Sequence, residues 1–474
     1  MTIHAPLAPH PDRLLPADPG TRAIARDLYR SVKDLPIISP HGHTDPSWFA
    51  ENQPFPDPAT LFIVPDHYIF RLLYSQGVPL EDLGVPRIDG GWTETDPRTI
   101  WRRFAENVHL LRGTPSRMWL DFAFHEVLGL TERLSADNAD RLYDQIDAQL
   151  QRPEFLPRAL FERFNIEALA TTENPLDDLR HHKAIAASGW GGKVVTAFRP
   201  DNVVDPEHPR FTTDLPELGR ITGRDIGNWD GYLASLRDRR RYFIEHGGAT
   251  STDHGHPTAQ TENLPQEEAA ALYGRVIDGQ ASARDAERFR GQMLTEMARM
   301  SMTDGLVMQI HPGALRGQNP AVSNAFGEAK GDDWPSRTEY VQALKPLLNA
   351  FGNERSLTII LFTLDESNYA REIAPLAGHY PALRIGPAWW FHDSPEGMRR
   401  FREQVTETAG FYNTVGFNDD TRAFFSIPAR HDLSRRIDCG FLARLVGEHR
   451  LEPDEAFAVA KSLAYDLAKA AYRL

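Results

Sequence analysis

Cysteine is nearly absent from this chain of 474 residues. Cys439 is the single thiol, so no intrachain disulfide can form, and this is typical of proteins from a reducing compartment. Uninterrupted apolar runs of about 18 residues, the length that a membrane span needs, are also missing. Residues 1–30 are polar and lack the apolar core of a secretory signal. These absences predict a cytoplasmic protein with no membrane partner.

Positive charge is in deficit. The chain has 52 Lys and Arg against 66 Asp and Glu, which gives a formal net charge of −14. Such a chain is a poor candidate for binding nucleic acid through its overall field. A small anionic substrate stays possible, because local arginines decide its binding.

Several nucleotide and nucleophile motifs are missing as well. No Gly-x-Gly-x-x-Gly follows an apolar run, and neither a phosphate-binding loop nor a Gly-x-Ser-x-Gly occurs. Dinucleotide-binding, NTP-dependent and serine-hydrolase functions therefore have no support.

Two histidine pairs are present. The apolar run 35–39 leads into His41-Gly-His43, and a second pair is His254-Gly-His256. Residues i and i+2 of a strand point to the same face, so either pair can direct two imidazoles at one divalent metal ion. The chain has 18 histidines, and spacing alone does not choose between a metal site and hydrogen-bonded loop residues.

Short apolar runs recur along the chain, each followed by polar or aromatic residues. Eight such runs are 35–39, 166–172, 194–198, 249–252, 306–310, 357–364, 383–387 and 415–417. Helical patterns separate most of them, for example 266–276, 281–299, 337–351 and 397–408. Eight strands alternating with helices predict an α/β fold, a (β/α)₈ TIM-type barrel, whose active site lies at the carboxyl ends of the strands.

The chain divides on these patterns into five predicted parts. Residues 1–34 form an N-terminal arm and helix, 35–53 the first barrel strand and a metal-binding loop, and 54–160 a helical insertion after that strand. The remainder of the barrel follows at 161–430, and C-terminal helices at 431–474.

Several residues at the ends of these runs have side chains suited to catalysis. Arg199 and Arg422 suit capture of a carboxylate, or ordinary ion pairs. Asp253 and His311 suit general acid–base chemistry, or structural hydrogen bonds. Among the remaining candidates, the pattern alone favours His67 as part of a helix start and Tyr68 as a packing residue, and it leaves Trp389 as core or as the wall of a sugar site.

Taken together, eight blocks resemble the uronate isomerase (glucuronate isomerase) family, a branch of the amidohydrolase superfamily. They are residues 36–43, 66–71, 171–178, 198–201, 252–255, 308–316, 389–393 and 420–422, in family order. The departures are modest: Ile69-Phe70 stand where the family often has Lys-Trp, Pro312 follows His311 where Ile is more usual, and the last block reads Asp-Asp-Thr-Arg.

The resemblance implies a (β/α)₈ barrel with one zinc ion held by His41, His43 and Asp420. Asp419 remains an alternative ligand, although the spacing to Arg422 favours Asp420. It assigns His254-Gly-His256 to a different block from the metal pair. The implied substrate-site residues are His67, Tyr68, Arg199, Asp253, His311, Trp389 and Arg422.

The activity implied is interconversion of D-glucuronate with D-fructuronate, and of D-galacturonate with D-tagaturonate, through an enediol. We expect Arg199 to hold the substrate carboxylate. Either Tyr68, as a phenolate favoured by Arg422, or Asp253 would move the C2 proton. Asp420 would move a hydroxyl proton.

Two rival functions are a metal-dependent hydrolase of the same superfamily and a non-catalytic sugar-binding barrel. Residues 170–172 offer no strand-end lysine to bridge two metal ions, which counts against the hydrolase. We also expect a homo-oligomer, as is common for large enzymes.

Overall fold

A seven-stranded parallel sheet forms the centre of the molecule. The computed structural model describes residues 6–474. Its strands are β1 (Ile37–Ser39), β2 (Ile166–Glu173), β3 (Lys193–Phe198), β4 (Ser251–His254), β5 (Val307–Ile310), β6 (Ala314–Leu315), β7 (Trp334–Pro335), β8 (Ile359–Leu361) and β9 (Leu383–Ile385). Their order in the sheet is β1-β2-β3-β4-β5-β8-β9. β6 and β7 make a separate antiparallel ribbon. Seven of the eight predicted runs are therefore parallel strands of one curled sheet.

The eighth predicted strand is wrong in detail. Residues 415–417 form no regular strand; a single parallel bridge joins Ile385 to Thr414. Val415 N–H donates to the Ile385 carbonyl at 3.1 Å, after which Gly416 takes a φ of 74°. This left-handed conformation ends extended pairing, because a strand needs negative φ. The architecture is a (β/α)₈-type barrel whose eighth position is an irregular segment beside β9.

Helices precede, connect and follow the strands. They are Pro19–Val32, Pro46–Glu51, Pro58–Phe62, His67–Tyr74, Pro97–Asn107, Pro115–Phe122, Ala139–Leu150, Pro157–Arg163, Arg180–Ala187, Asp201–Val204, Phe211–Thr222, Trp229–Gly247, Gln266–Ile277, Ala283–Asp304, Pro320–Phe326, Lys345–Phe351, Ala374–Ala377, Pro395–Ala409, Ile427–Gly447, Pro453–Lys461 and Leu467–Ala471.

An Asp-Pro pair starts four of these helices. Asp18, Asp45, Asp57 and Asp96 each cap a helix by accepting a backbone N–H, and proline fills the first helical position. Proline suits that position because its missing N–H would have no partner there, and the aspartate satisfies another free N–H. The chain between β1 and β2 is helical in this way, and the division into five parts stays a prediction.

The helix predicted over 337–351 begins later than expected, at Lys345. Pro346 explains the start, because proline fits the first turn of a helix but blocks a turn before it. Upstream, Tyr340 is held in non-helical backbone by two long-range hydrogen bonds. Its N–H donates to Glu372 and its hydroxyl to the Phe362 carbonyl, both at 2.7 Å.

Two large apolar clusters hold the fold together. One packs the sheet against its outer helices, and the other joins β1 and β2 to the helices that lie between them in sequence. Ile69, Phe70 and Leu73 fix the helix His67–Tyr74 in the second cluster. This packing places His67 and Tyr68 over the barrel. None of the helices in residues 6–474 has the length and apolar character needed to cross a membrane.

Cys439 is expected to be inert in the folded protein. Its side chain is 1 % exposed within the helix Ile427–Gly447, and burial raises the pKa of the thiol, which disfavours the reactive thiolate. A chromogenic disulfide reagent should label about one thiol per chain in urea and essentially none in buffer. Rapid labelling of the native protein would contradict this.

Candidate active site

One cavity collects the ten residues that the resemblance assigns to the metal and substrate site. It lies at the carboxyl ends of the strands, and its lining includes His41, His43, His67, Tyr68, Arg199, Asp253, His311, Trp389, Asp420 and Arg422. Parallel strands of a barrel end on the same side, so residues distant in sequence meet there.

His41, His43 and Asp420 form a group with the geometry of metal ligands. The Nε2 atoms of His41 and His43 lie 3.5 and 3.2 Å from Asp420 Oδ1. Two ligands of a tetrahedral zinc ion stand roughly 3.3 Å apart, so these separations fit such an ion. Although burial opposes ionisation, the two histidines hold the pKa of Asp420 well below its usual range.

Asp420 and Asp419, the two carboxylates available as a third metal ligand, have different surroundings. His43 N–H donates to the Thr421 carbonyl at 3.1 Å, and Asp420 has a φ of 40°. Asp419 instead accepts a hydrogen bond from His431 Nε2 at 3.0 Å and is 1 % exposed. One oxygen of Asp419 is therefore engaged by His431, and Asp419 belongs to no group of converging ligand atoms with His41 and His43, which favours Asp420 as the ligand.

Asp253 is clamped between two partners. Its Oδ1 accepts a hydrogen bond from His311 Nδ1 at 2.7 Å, and its Oδ2 lies 3.2 Å from Arg199 Nη1. Burial acts to raise the pKa of Asp253, but Arg199 and His311 hold it well below its usual range. Because an ionised carboxylate only accepts hydrogen bonds, His311 carries its proton on Nδ1.

The other nitrogen of His311 is free to react. Nε2 is buried and has no hydrogen-bond partner in residues 6–474. The ring is fixed by stacking on Phe362 at 3.8 Å between centroids, with His41 and Trp389 each at 4.8 Å. A carboxylate that orients a neutral imidazole in this way is typical of a general base.

Arg199 is held from behind by Asp201. Its Nε donates to Asp201 Oδ2 at 2.9 Å, and that carboxylate also accepts the Gly255 N–H at 3.0 Å. A Cβ at Gly255 would lie 2.4 Å from Arg199 Nη2 and 2.9 Å from Asp201 Oδ2. An added Cβ would therefore force the Arg199 guanidinium, which passes directly over the backbone here, to move.

Replacing Gly255 by alanine should displace Arg199 and, through it, Asp253 and His311. A misplacement of about 1 Å at reacting groups can lower the rate roughly 10²-fold, so we expect kcat to fall by about that factor. Steady-state kinetics measure the effect. Gly191, whose added Cβ meets nothing within 4 Å, gives the matched control Gly191→Ala, and equal activity in both variants would contradict the expectation.

His67 and Tyr68 begin a helix capped by Asp66, which accepts the Tyr68 N–H at 2.9 Å. Burial lowers the pKa of His67 to about 3, so this imidazole is neutral. Burial, with Asp393 nearby, raises the pKa of Tyr68 well above its ordinary value. The guanidinium over the Tyr68 ring is Arg430, at 5.3 Å. The expected phenolate favoured by Arg422 is therefore not supported, and Tyr68 is a phenol.

Several lining residues were not predicted as site residues. Asp66, Arg316, Asp333, Trp390 and Thr421 also face the cavity. Arg316 directly follows β6, with Nη1 3.6 Å from Asp333 Oδ2. A ribbon of two-residue strands has no hydrophobic periodicity, so the only signals for Arg316 were its position after the fifth run and its place at the end of the block 308–316.

The fold and this cavity define an α/β-barrel enzyme with an imidazole–carboxylate metal-binding group at its strand ends. A model of the glucuronate isomerase family matches residues 20–472. The chain belongs to that family, and the resemblance seen in the sequence is confirmed.

Relatives and solved structures agree. The chain is 65 % identical to the uronate isomerase of Phenylobacterium zucineum, over 99 % of this chain and 97 % of that one. The Rhizobium meliloti uronate isomerase is 64 % identical over 98 % and 99 %. The crystal structure of the Caulobacter crescentus glucuronate isomerase superimposes with a TM-score of 0.97, at 59 % identity over 99 % and 98 % of the two chains.

A more distant solved structure has the same fold. The uronate isomerase of Thermotoga maritima superimposes with a TM-score of 0.90, at 25 % identity over 98 % and 99 % of the chains. These matches identify the protein as an isomerase, and the hydrolase alternative is not favoured.

Proposed function

We propose that this protein interconverts D-glucuronate with D-fructuronate, and D-galacturonate with D-tagaturonate, by moving a proton between C2 and C1. Its membership of the glucuronate isomerase family supports the reaction. The observation on which the chemistry rests is the buried Asp253–His311 pair beside His41, His43 and Asp420.

His41, His43 and Asp420 would hold one divalent ion, which we propose to be zinc. Two imidazoles and a carboxylate suit that metal, and their separations fit its tetrahedral geometry. Bound there, such an ion polarises substrate oxygens and favours negative charge on them. Asp420, ionised and next to the substrate space, would also accept a hydroxyl proton.

His311 is the base that we propose for carbon. Both oxygens of Asp253 are engaged, by His311 and by Arg199, so Asp253 orients the base instead of acting as one. The free Nε2 of His311 can take the C2 proton and return it to C1 on the same face of a cis-enediol. In this reaction the bond to hydrogen breaks at C2 and forms at C1, the hydroxyl proton that Asp420 accepts from O2 passes to O1, and no water is consumed.

Tyr68 would act as a hydrogen-bond donor. A phenol kept protonated by burial can donate to the oxygen on which negative charge develops. Tyr68→Phe keeps the ring against His67 and Trp119 and should lower kcat by about 10²-fold with little change in KM. Steady-state kinetics test this, and near-normal turnover of the variant would exclude the role.

The substrate carboxylate needs positive charge that is not already balanced. Arg199 lies between Asp201 and Asp253, at 2.9 and 3.2 Å, so the expected holder is largely neutralised. Arg422 is exposed on the cavity lining, and Arg316 has only the longer contact with Asp333. We propose that Arg316 and Arg422 attract the carboxylate and that Arg199 adds a hydrogen bond. The expected homo-oligomer and cytoplasmic location stay predictions.

Proton NMR of D-glucuronate in D₂O tests the proposed function. Incubation with the purified protein should produce ketose signals, and a chelator should abolish them. Deuterium at C1 of the product would support transfer through a base that exchanges with solvent. If D-glucuronate and D-galacturonate both stay unchanged with metal-replete protein, the proposed function is wrong.

A further inference from the structure

Buried histidine nitrogens without a hydrogen-bond partner occur in two places within residues 6–474. His41 Nδ1, His67 Nε2 and His311 Nε2 belong to the active-site cavity. The other three, His254 Nδ1 and both nitrogens of His256, belong to the second His-x-His pair, which does not line that cavity. Buried polar groups in native proteins are satisfied by protein, water or an ion. The second pair therefore calls for a bound species of its own.

A carboxylate completes this second cluster. Ligand atoms of Asp201, His254 and His256 all lie within 4.8 Å of one another, and His256 Nε2 is 3.8 Å from Asp201 Oδ1. Both histidines are buried, at 0 % and 2 % exposure. The two histidines flank Gly255, which follows β4 and whose N–H donates to the Asp201 carboxylate.

The state of His254 suits a metal ligand. Its Nε2 lies 3.0 Å from Thr252 Oγ1, which leaves Nδ1 as the free nitrogen. A ligating histidine commonly engages its second nitrogen in such a hydrogen bond, which fixes the ring.

The surrounding charge is negative. Asp201 and Asp253 flank Arg199, while Arg290 is bound by Asp205 and Glu207 at 2.8 and 2.6 Å. Four carboxylates thus face two guanidinium groups around the imidazoles, and Arg316, which also acts on Asp201, has its own contact with Asp333. Arg240, which also acts on His254, is balanced by Asp304. A divalent cation would neutralise the excess.

We propose that Asp201, His254 and His256 form a second metal site, separate from His41, His43 and Asp420, for a divalent transition ion such as zinc or cobalt. Two imidazoles with one carboxylate favour this class over magnesium or calcium, which prefer all-oxygen ligands. The site shares Asp201 with Arg199 and so adjoins the active site without opening into it.

Metal counting tests the proposal without using turnover. Purified full-length protein is stripped with a chelator, dialysed against Co²⁺ or Zn²⁺ and analysed by elemental mass spectrometry. The wild type should hold two ions per chain. His256→Asn and His43→Asn should each hold one, and the double variant none. The ion retained by His43→Asn should give a cobalt absorption spectrum that the double variant lacks.

Controls separate a built site from surface binding and from unfolding. His379 is exposed and in no ligand group, so His379→Asn should keep both ions. Circular dichroism and thermal unfolding check that each variant is folded. His254→Gln removes the other imidazole of the proposed second site and should also hold one ion per chain. One ion in the wild type, or two in His256→Asn, would overturn the proposal and assign the cluster to water.

Discussion

Asp420→Asn should lower kcat/KM by about 10³-fold or more, because one carboxylate is both the proposed third metal ligand and a proton acceptor. Asparagine is the suitable replacement because it tolerates left-handed backbone, and Asp420 has a φ of 40°. The backbone that carries Arg422 should therefore keep its path. The variant tests the carboxylate charge rather than the fold.

Kinetics and metal content have to be measured on the same samples. The variant should bind zinc more weakly at the pocket, and added zinc should restore little activity. Asp365 offers a matched control, since it follows β8 as a strand-end carboxylate but lies outside the cavity lining. Asp365→Asn should keep normal activity. Near-normal turnover of Asp420→Asn would exclude both proposed roles.

The strands were largely predictable because a buried strand has a recognisable sequence pattern. A buried parallel strand is a short, nearly continuous apolar run, and seven of eight such runs form the sheet. The run 415–417 has the same apolar pattern but forms no strand. Next to it, one bridge joins Thr414 to Ile385 of β9, and the positive φ of Gly416 ends the pairing. Periodicity reports which residues are buried and not which backbone conformation they take.

The location of the site was predictable for a related reason. Residues that follow parallel strands of a barrel lie at the same end, and eight of the ten predicted site residues follow such runs and line one cavity there. His67 and Tyr68, which follow no run, were placed in the site by the resemblance alone. The pairing of the site residues could not be predicted, because it depends on side-chain direction. Arg430, in the helix Ile427–Gly447, lies over the Tyr68 ring. The two oxygens of Asp253 contact His311 and Arg199, which follow the two neighbouring strands. Because of those contacts, Tyr68 is a phenol where the sequence suggested a phenolate, and the proposed role of Asp253 is to orient a base instead of acting as one.

The same reasoning predicts a large effect for Asp253→Asn. The amide cannot accept from both Arg199 and His311 as an ionised carboxylate does, so His311 loses the partner that sets its tautomer. Loss of such an orienting carboxylate lowers kcat by about 10³- to 10⁴-fold in comparable pairs. Arg199 would also lose one of its two carboxylates, and breaking a buried ion pair costs about 3 kcal/mol or more of the free energy of unfolding.

The loss of stability in Asp253→Asn should depend on pH, whereas a loss caused only by poorer packing of the core would not. Arg199 and His311 hold the pKa of Asp253 below its usual range, so its contribution to stability is present at neutral pH and is lost as pH falls towards the folded-state pKa. The gap in unfolding free energy between wild type and Asp253→Asn should therefore be widest at neutral pH and narrow in acid. Urea unfolding at several pH values measures it. A constant gap, with kcat within tenfold of wild type, would mean that Asp253 fills space and does not orient the base.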